Sequence, residues 1–402
     1  MTPRPRLISN RFEVVLLILL SFIVSTRLIW LQIDERSRSI TDEFYSTSLA
    51  FNRSLGHACS AGVDPDFPHS TQIANQPLDS NAQTSPGLAL TLWGLCQIER
   101  LNVDTYIDIA PHLITTSAFF VAVTARLLTA NWVGGLIAAA VVLSRGSILS
   151  GTHLAGTFVL LQPLVCLIFL LLALYARTRD ARWLPAVFTC CATAIFVSPL
   201  FALLAWPMTL FAALRAIRQS DKSIFSIHKL QLHMISMIMA LVVFPLIIVA
   251  LHTYSPSSTR GITTFIRQLQ QLSSGGHRLL LMAGSAIAEL EQQDLHWQVS
   301  IATLALAATL KRFLPSGSSF CALMLLMCSM IALVIDGGII AAAARQSDHL
   351  EVRRIYNMTD ALFSLEPLII GLGASYAWFA VRYLIILLYP DYSSQKLRHD
   401  RM

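Results

Sequence analysis

Long apolar stretches recur along the chain, and polar segments separate them. Ten stretches contain enough apolar residues for a helix that crosses the hydrocarbon core of a bilayer, which takes about 20 residues. These stretches are residues 12–33, 109–129, 132–149, 156–176, 183–197, 199–216, 230–251, 295–310, 313–344 and 361–389. Because a backbone in lipid must satisfy its own hydrogen bonds, the pattern predicts an all-α polytopic membrane protein with about 10 transmembrane helices.

The apolar run between residues 183 and 216 is interrupted by Pro185, Pro199 and Pro207. Proline removes a backbone donor and fixes φ, so it ends one helix and is well accommodated in the first turn of the next. We therefore interpret this run as two short helices that form a tight hairpin.

Two polar segments between the predicted spans are long, and a third is short and densely charged. The long segments are residues 34–108 and 252–294, and the short one is residues 345–360. We interpret residues 1–402 as a single transmembrane domain whose long outer loops carry function. Apolar or small residues recur at helical spacing in both long loops, which predicts amphipathic helices near the membrane surface. They are Phe44, Ser48, Phe51 and Leu55 in the first loop and Ile262, Phe265, Ile266 and Leu269 in the second.

The composition supports a membrane protein and excludes several other classes. Hydrophobic residues make up 55% of the 402 residues and charged residues only 13%, whereas a typical soluble domain contains about 25% charged residues. A chain with so little polar surface cannot cover water-soluble cores of this length. The apolar content also excludes intrinsic disorder, and seven Cys are too few for a small disulfide scaffold.

The distribution of positive charge predicts the orientation of the chain, because Lys and Arg collect on the cytoplasmic side of membrane proteins. With the N-terminus inside, 16 of the 29 Lys and Arg residues fall on the inner side, together with five Asp and Glu residues. We therefore predict a plasma-membrane or inner-membrane protein with both termini in the cytoplasm. The net charge of +6 follows from this topology, and because no nucleic-acid-binding motif accompanies it, no nucleic-acid partner is expected.

Two sequence motifs fall on the predicted outer side. Thr41-Asp42-Glu43-Phe44-Tyr45 follows the first span, and His349-Leu350-Glu351-Val352-Arg353-Arg354 lies in the charged segment. The first motif resembles the acidic pair in the first outer loop of the protein O-mannosyltransferases. The second is similar to the His-Lys-Glu-x-Arg-Phe motif of lipid-linked mannosyltransferases, from which it departs at Leu350 and Arg354. Both motifs indicate a resemblance to the GT-C superfamily of polytopic membrane glycosyltransferases.

The resemblance implies an enzyme that takes a sugar from a polyprenyl-phosphate donor in the membrane lipid and transfers it on the outer face with inversion. Such a displacement needs a carboxylate that accepts a proton and cations that stabilise the departing phosphate. Asp42 is then the expected base, with Glu43 as its neighbour or substitute. Guanidinium groups form bidentate bonds with phosphate oxygens. The expected phosphate ligands are Arg345, His349, Arg353 and Arg354, and the expected supporting residues are His153, Asp336 and Glu351.

Each of these assignments has a structural alternative. An acid such as Asp42 is also favoured in the first turn of a helix by the helix dipole. The cations of residues 345–360 equally fit a charge cluster that flanks the membrane, or ion pairs with Asp348 and Glu351. His153 equally fits a solvated loop side chain, and Asp336 equally fits the outer end of its span.

Two further features of the first loop carry candidate chemistry. Asp64 and Asp66 form an Asp-x-Asp that offers oxygen ligands to a divalent cation, whereas the two nearby prolines equally favour a turn. Cys59 and Cys96 both fall on the predicted outer side, where oxidation could join them and close the loop. The other five Cys lie in predicted spans and fit small buried apolar residues.

Two other functions fit the same sequence. A non-catalytic relative would use the fold as a subunit or scaffold with a protein partner in a membrane complex. A transporter would use Asp336 as a coupling site, but carriers often contain two repeated halves, and the sequence contains no such repeat. Arg27, Glu366 and Arg382 also lie within predicted spans, where charged residues are rare.

Overall fold

The computed structural model describes part of the chain, and every element in that part is helical. The described residues are 15, 19–24, 26–27, 103–144, 157–178, 180, 182–220, 238–254, 262–263, 266, 295–309, 314–315, 317–343 and 360–388. These residues contain no strand. The prediction of an all-α fold is therefore confirmed for the described residues.

Nine α-helices are described over most of their length. They are α1 Val103–Thr129, α2 Trp132–Ser144, α3 Thr157–Thr178, α4 Trp183–Val197, α5 Ala202–Ser220, α6 Phe244–Tyr254, α7 Leu295–Thr309, α8 Ser318–Ala343 and α9 Asp360–Leu388. A 3-10 turn, Pro199–Phe201, precedes α5, and a π-helical turn, Met239–Val243, precedes α6. The described residues of the first predicted span, between 15 and 27, are also helical.

Three of these helices are long and apolar enough to cross a membrane. The qualifying windows are Leu160–Thr178 in α3, Ser318–Ile335 in α8 and Ser364–Ile385 in α9. Shorter apolar helices accompany them, among them Trp132–Ser144 and Trp183–Val197. These helices indicate that the protein associates with a membrane, and the total of ten spans stays a prediction.

The proline-rich run forms the predicted helical hairpin. The first helix of the hairpin, α4, ends at Val197, and Ser198 adopts extended backbone angles, φ −137° and ψ 104°. The Ser198 N–H donates to the carbonyl oxygen of Ala194 at 2.8 Å, which satisfies a carbonyl in the last turn of α4. Pro199 then begins the 3-10 turn that leads into α5, as its missing N–H allows. Pro207 does not end a helix, because α5 continues through it.

In the second long loop, three of the described residues are helical, and the amphipathic helix stays a prediction. Ile262, Thr263 and Ile266 are helical. The side chain of Ile262 is buried in the main core, and that of Ile266 is exposed. Phe265, Leu269 and the predicted helix of the first loop lie outside the described residues.

Close contacts at one end of the bundle align three helices. The hydroxyl of Ser318, at the start of α8, donates a hydrogen bond to the carbonyl oxygen of Leu128, near the end of α1. The preceding residue, Gly317, has φ +93°, and a Cβ atom added to it would lie 2.7 Å from the carbonyl oxygen of Ala176 in α3. Therefore α1 and α3 end side by side where α8 begins.

The last described helix, α9, runs in the same direction as α1 and packs closely on its neighbours. A Cβ atom added at Gly371 would lie 2.5 Å from Cγ1 of Val121 in α1, and one added at Gly373 would lie 2.6 Å from Cβ of Ser300 in α7. The hydroxyl of Thr303 donates to the carbonyl oxygen of Gly373 at 3.1 Å. Helix α9 also packs against α2, α3 and α8, so it occupies the middle of the bundle.

Three arginines mark the end at which α1 and α3 terminate, and we call it the arginine end. Arg126 lies in the last turn of α1, Arg177 lies in the last turn of α3, and Arg182 directly precedes α4. The three residues therefore share one end of the bundle. At the opposite end, α1, α3 and α9 begin and α2 and α8 terminate.

Candidate functional site

Most of the residues predicted to form the catalytic site lie outside the described residues. These residues are Asp42, Glu43, His153, Arg345, His349, Glu351, Arg353 and Arg354, and the same holds for the predicted metal ligands Asp64 and Asp66. Asp336 is described only by its backbone, which belongs to α8, as expected for a residue in a predicted span. The arrangement of these side chains therefore stays a prediction.

The described helices bring the flanks of several predicted functional segments to the opposite end of the bundle. Helix α2 ends at Ser144 and α3 begins at Thr157, on either side of His153. Helix α8 ends at Ala343 and α9 begins at Asp360, on either side of the predicted phosphate ligands. Helix α1 begins there too, at Val103, within the last residues of the segment 34–108 that was predicted as the first long loop. The fold thus allows these segments to contribute to one site.

The interior of the bundle contains buried polar side chains towards this opposite end. Gln162 in α3 is 0% exposed and Glu366 in α9 is 1% exposed. Ser117 in α1 and Ser364 in α9 are also fully buried. We call these four residues the polar layer. Most other buried side chains in the described bundle are apolar, and polar residues inside membrane helices are functional candidates by default.

Helix register places the members of the polar layer at similar heights. Ser117 is hydrogen-bonded to the side chain of Cys166, which aligns α1 with α3. Gln162 lies four residues before Cys166, about 6 Å closer to the opposite end at 1.5 Å per residue. Glu366 lies five residues before Gly371, the residue that contacts α1. The polar layer therefore spans about one helical turn on three adjacent helices.

Both large members of the polar layer directly precede a proline inside a helix. Pro163 follows Gln162 in α3, and Pro367 follows Glu366 in α9. Each proline lacks an N–H, so the carbonyl group four residues earlier, at Val159 and at Phe363, loses its usual intrahelical donor. The two helices thus add backbone acceptors to the buried polar side chains at this end.

Gln162 is the most unusual residue of the polar layer. Neither its amide nitrogen nor its amide oxygen has a hydrogen-bond partner among the described residues. A buried polar group left without a partner costs about 1–3 kcal/mol. An amide in this position can both donate a hydrogen bond to a hydroxyl group and accept one from it.

Sequence reasoning missed the polar layer. Glu366 was recognised as a charged residue within a span but received no role, and Gln162 was not singled out. The sequence does contain a signal for these two residues. Gln162-Pro163 and Glu366-Pro367 each place a large polar side chain directly before a proline within an apolar run. Two more charged residues predicted within spans are less buried: Arg27 is half-buried and Arg382 is exposed.

The described cysteines behave as predicted, and the described residues contain no metal cluster. Cys166, Cys191, Cys321 and Cys328 are buried, Cys190 is half-buried, and all five are free thiols. Cys59 and Cys96 lie outside the described residues. Within the described part of the chain, no three His, Cys, Asp or Glu residues are grouped as ligands for a metal ion.

Comparison with known proteins adds no relative: no protein-family model matches the chain, and no curated protein matches it. The GT-C resemblance therefore rests on the sequence alone, on its predicted architecture and the two motifs.

Proposed function

We propose that the protein is an integral-membrane glycosyltransferase. It moves a sugar from a polyprenyl-phosphate-linked donor to an acceptor hydroxyl on the outer face, by a single displacement with inversion at the anomeric carbon. Asp42 accepts the proton of the attacking hydroxyl, with Glu43 beside it in sequence. Arg353 and its neighbouring cations stabilise the phosphate as it departs.

The observation that supports this proposal most strongly is the position of the polar layer. Glu366 and Gln162 are buried inside the bundle at the end where α3 and α9 begin, and the predicted phosphate ligands lie between α8 and α9 in the sequence. Transfer from a lipid-linked donor needs a polar, water-poor site within reach of the bilayer, because charge stabilisation is stronger where water is excluded.

Within this proposal, the polar layer binds the sugar of the donor. Carboxylate and amide oxygens accept hydrogen bonds from sugar hydroxyls, and the Gln162 amide nitrogen donates one. The donor lipid enters sideways between helices, with its phosphate at the membrane surface near residues 345–354. The acceptor approaches from the outer aqueous phase.

The direct test is a transfer assay with purified protein in liposomes and radiolabelled polyprenyl-phosphate sugars. Asp42→Asn should abolish transfer, because an amide cannot accept the proton, while expression and the size-exclusion profile stay unchanged. Asp180→Asn is the matched control, since Asp180 is an exposed acid at the arginine end. Full transfer by Asp42→Asn would remove Asp42 from the role of base.

The same assay separates the proposal from the two other functions. A wild-type protein that transfers none of the sugars offered, and that copurifies with a stoichiometric protein partner, would support a scaffold instead. Substrate flux in liposomes that disappears in Asp336→Asn would support a transporter.

A further inference from the structure

The turn between α4 and α5 is buried, although turns between helices normally lie at a surface. Ser198 is 8% exposed and Phe201 is 0% exposed. The turns at the arginine end differ, because Ala130, after α1, and Asp180, after α3, are both exposed. The segment 198–201, which we call the hairpin tip, therefore lies inside the protein.

The packing of α5 shows how far the hairpin tip lies from the arginine end. The rings of Phe211 in α5 and Phe320 in α8 stack with centroids 5.5 Å apart. Phe320 lies two residues after Ser318, which is bonded to Leu128 at the arginine end. Phe211 lies nine residues after Ala202, the first residue of α5. At 1.5 Å per residue, α5 therefore begins about 17 Å from the level of Ser318.

The length of α4 gives a similar height. The Trp183 N–H donates to the carbonyl oxygen of Asp180 at 3.3 Å, so α4 begins in the turn that follows α3. From Trp183 to Val197, an α-helix rises about 21 Å. The two helices of the hairpin therefore place its tip about 17–21 Å from the arginine end.

Neighbouring helices extend further from the same end. The apolar windows Leu160–Thr178 in α3 and Ser318–Ile335 in α8 contain 19 and 18 residues, which corresponds to about 27–29 Å. Asp180 and Arg182 are exposed at the arginine end, which places this end at a membrane surface because charged residues are rare inside the bilayer. With a hydrocarbon core of about 30 Å, the hairpin tip is about 9–13 Å short of the opposite surface.

We propose that α4 and α5 form a re-entrant hairpin, which enters the membrane from the arginine end, turns inside the bundle and returns to the same end. Every residue from 183 to 214 is uncharged, as suits a hairpin whose tip stays below the surface. Non-helical backbone is tolerated at this depth only where protein or a water-filled cavity surrounds it. The buried tip meets that condition, and its Phe201 N–H donates to the carbonyl oxygen of Ser198 at 2.9 Å. The chain then crosses the membrane two times fewer than its apolar stretches predict.

The hairpin tip ends at the height of the polar layer. Ser117 lies 11 residues before Leu128, about 17 Å from the arginine end. Helix α4 packs along α3, which carries Gln162 of the polar layer. The hairpin tip would therefore border the proposed sugar site, and this consequence alone rests on the proposed function. The re-entrant path itself does not depend on any activity.

The test measures the membrane depth of spin labels at two lipid-facing positions of α5. Trp206 and Leu210 are 47% and 42% exposed, so labels on Trp206→Cys and Leu210→Cys disturb the core little. The full chain, with Cys59, Cys96 and Cys190 changed to Ala, is reconstituted in phospholipid bilayers. Collision rates of each nitroxide with oxygen and with a water-soluble nickel complex report its depth.

The two paths predict opposite orders of depth. In a re-entrant hairpin, the label at residue 206 lies about 4 Å from the bilayer centre and the label at residue 210 about 10 Å from it. In a hairpin that crosses, these distances become about 9 Å and 3 Å. Labels on Leu323→Cys and Met330→Cys, which are exposed positions of α8, calibrate the depth scale. Equal depths at residues 206 and 210, or a deeper label at residue 210, would overturn the proposal.

A second variant tests the tip itself. In sealed membrane vesicles, Ser198→Cys should react with a membrane-impermeant maleimide from neither side, and it should react fully after denaturation in SDS. Asp180→Cys is the control, because Asp180 is exposed at the arginine end and should react from one side. Reaction of Ser198→Cys from the side opposite to that of Asp180→Cys would show that the hairpin crosses. Since the tip and the lipid-facing positions are changed separately, poor folding of one variant leaves the other as a test.

Discussion

The hydroxyl of Tyr376 donates a hydrogen bond to the carbonyl oxygen of Ser318 at 3.1 Å. The hydroxyl of Ser318 in turn donates to the carbonyl oxygen of Leu128. These two bonds join α9, α8 and α1 at one level in the bundle. Hydrogen bonds between helices contribute to association in a membrane, where burial of apolar surface drives helices together less than in water.

Tyr376→Phe should therefore lower the stability of the bundle without disturbing its packing. The ring is kept and only the hydroxyl is lost, so we expect a loss of about 0.5–1.5 kcal/mol. Thermal unfolding of the purified protein in detergent measures the effect. Tyr376→Leu, which also removes ring contacts in the buried core, should cost more. An unfolding midpoint of Tyr376→Phe equal to that of wild type would show that the bond contributes nothing.

Gly317→Ala should destabilise the protein strongly. Its φ of +93° is unfavourable for any residue with a Cβ atom, and that atom would lie 2.7 Å from the carbonyl oxygen of Ala176. Ala130→Gly is the contrasting variant, because Ala130 has φ 54° and glycine relieves the left-handed strain of about 1–2 kcal/mol. We expect a lower unfolding temperature for Gly317→Ala and an equal or higher one for Ala130→Gly. A higher unfolding temperature for Gly317→Ala than for Ala130→Gly would contradict the close contact of Gly317 with Ala176 at the arginine end.

Gln162→Met should raise stability while it lowers sugar transfer. The thioether keeps the length of the side chain but removes an amide that has no partner among the described residues, so we expect a gain of about 1–3 kcal/mol. If the amide binds the sugar, the same change should increase the KM for the donor. A variant that is less stable than wild type would show that Gln162 is hydrogen-bonded within the protein.

Arg353→Gln should weaken binding of the lipid phosphate and therefore raise the KM for the donor about tenfold or more, because a charged hydrogen bond is lost. Arg382→Gln is a suitable control, since Arg382 is an exposed arginine of α9. Initial rates at several donor concentrations separate KM from kcat. Equal KM values for Arg353→Gln and wild type would exclude Arg353 as a phosphate ligand.

The number of reactive thiols should report on a bridge between Cys59 and Cys96. The chain contains seven Cys, and five of them are free thiols in the helices. If the predicted outer side is oxidising, denatured protein should bind five maleimide groups without reductant and seven after reduction. Folded protein should bind fewer, because Cys166, Cys191, Cys321 and Cys328 are buried. Seven reactive thiols without reductant would exclude the bridge.

Local signals in the sequence predicted the helices better than they predicted the neighbours of each helix. The bounds of α4, Trp183–Val197, agree with the prediction, because Ser198-Pro199 ends one helix and starts the next through local backbone restrictions. The contact of Gly317 with Ala176 could not be predicted, since it depends on how two distant helices pack.

The candidate site was predicted only in part, for a similar reason. Helices that are apolar on all sides give no periodic signal for the face that points inwards. The sequence could therefore place Glu366 within a span but could not show that it is buried on the same level as Ser117. The charged loop segments were identified by their resemblance to known motifs. A motif is recognised from its residue types alone, so this step does not require knowing which way each side chain points.

The central position of α9 has a consequence for biogenesis. The ribosome delivers this helix after all the other described helices, yet α1, α2, α3, α7 and α8 all pack against it. Until it inserts, the small residues that face it, such as Ser300, have only lipid or one another to contact. Maturation of the bundle should thus be a late, post-insertion event, and nascent chains that stop before residue 360 should be substrates for membrane quality control.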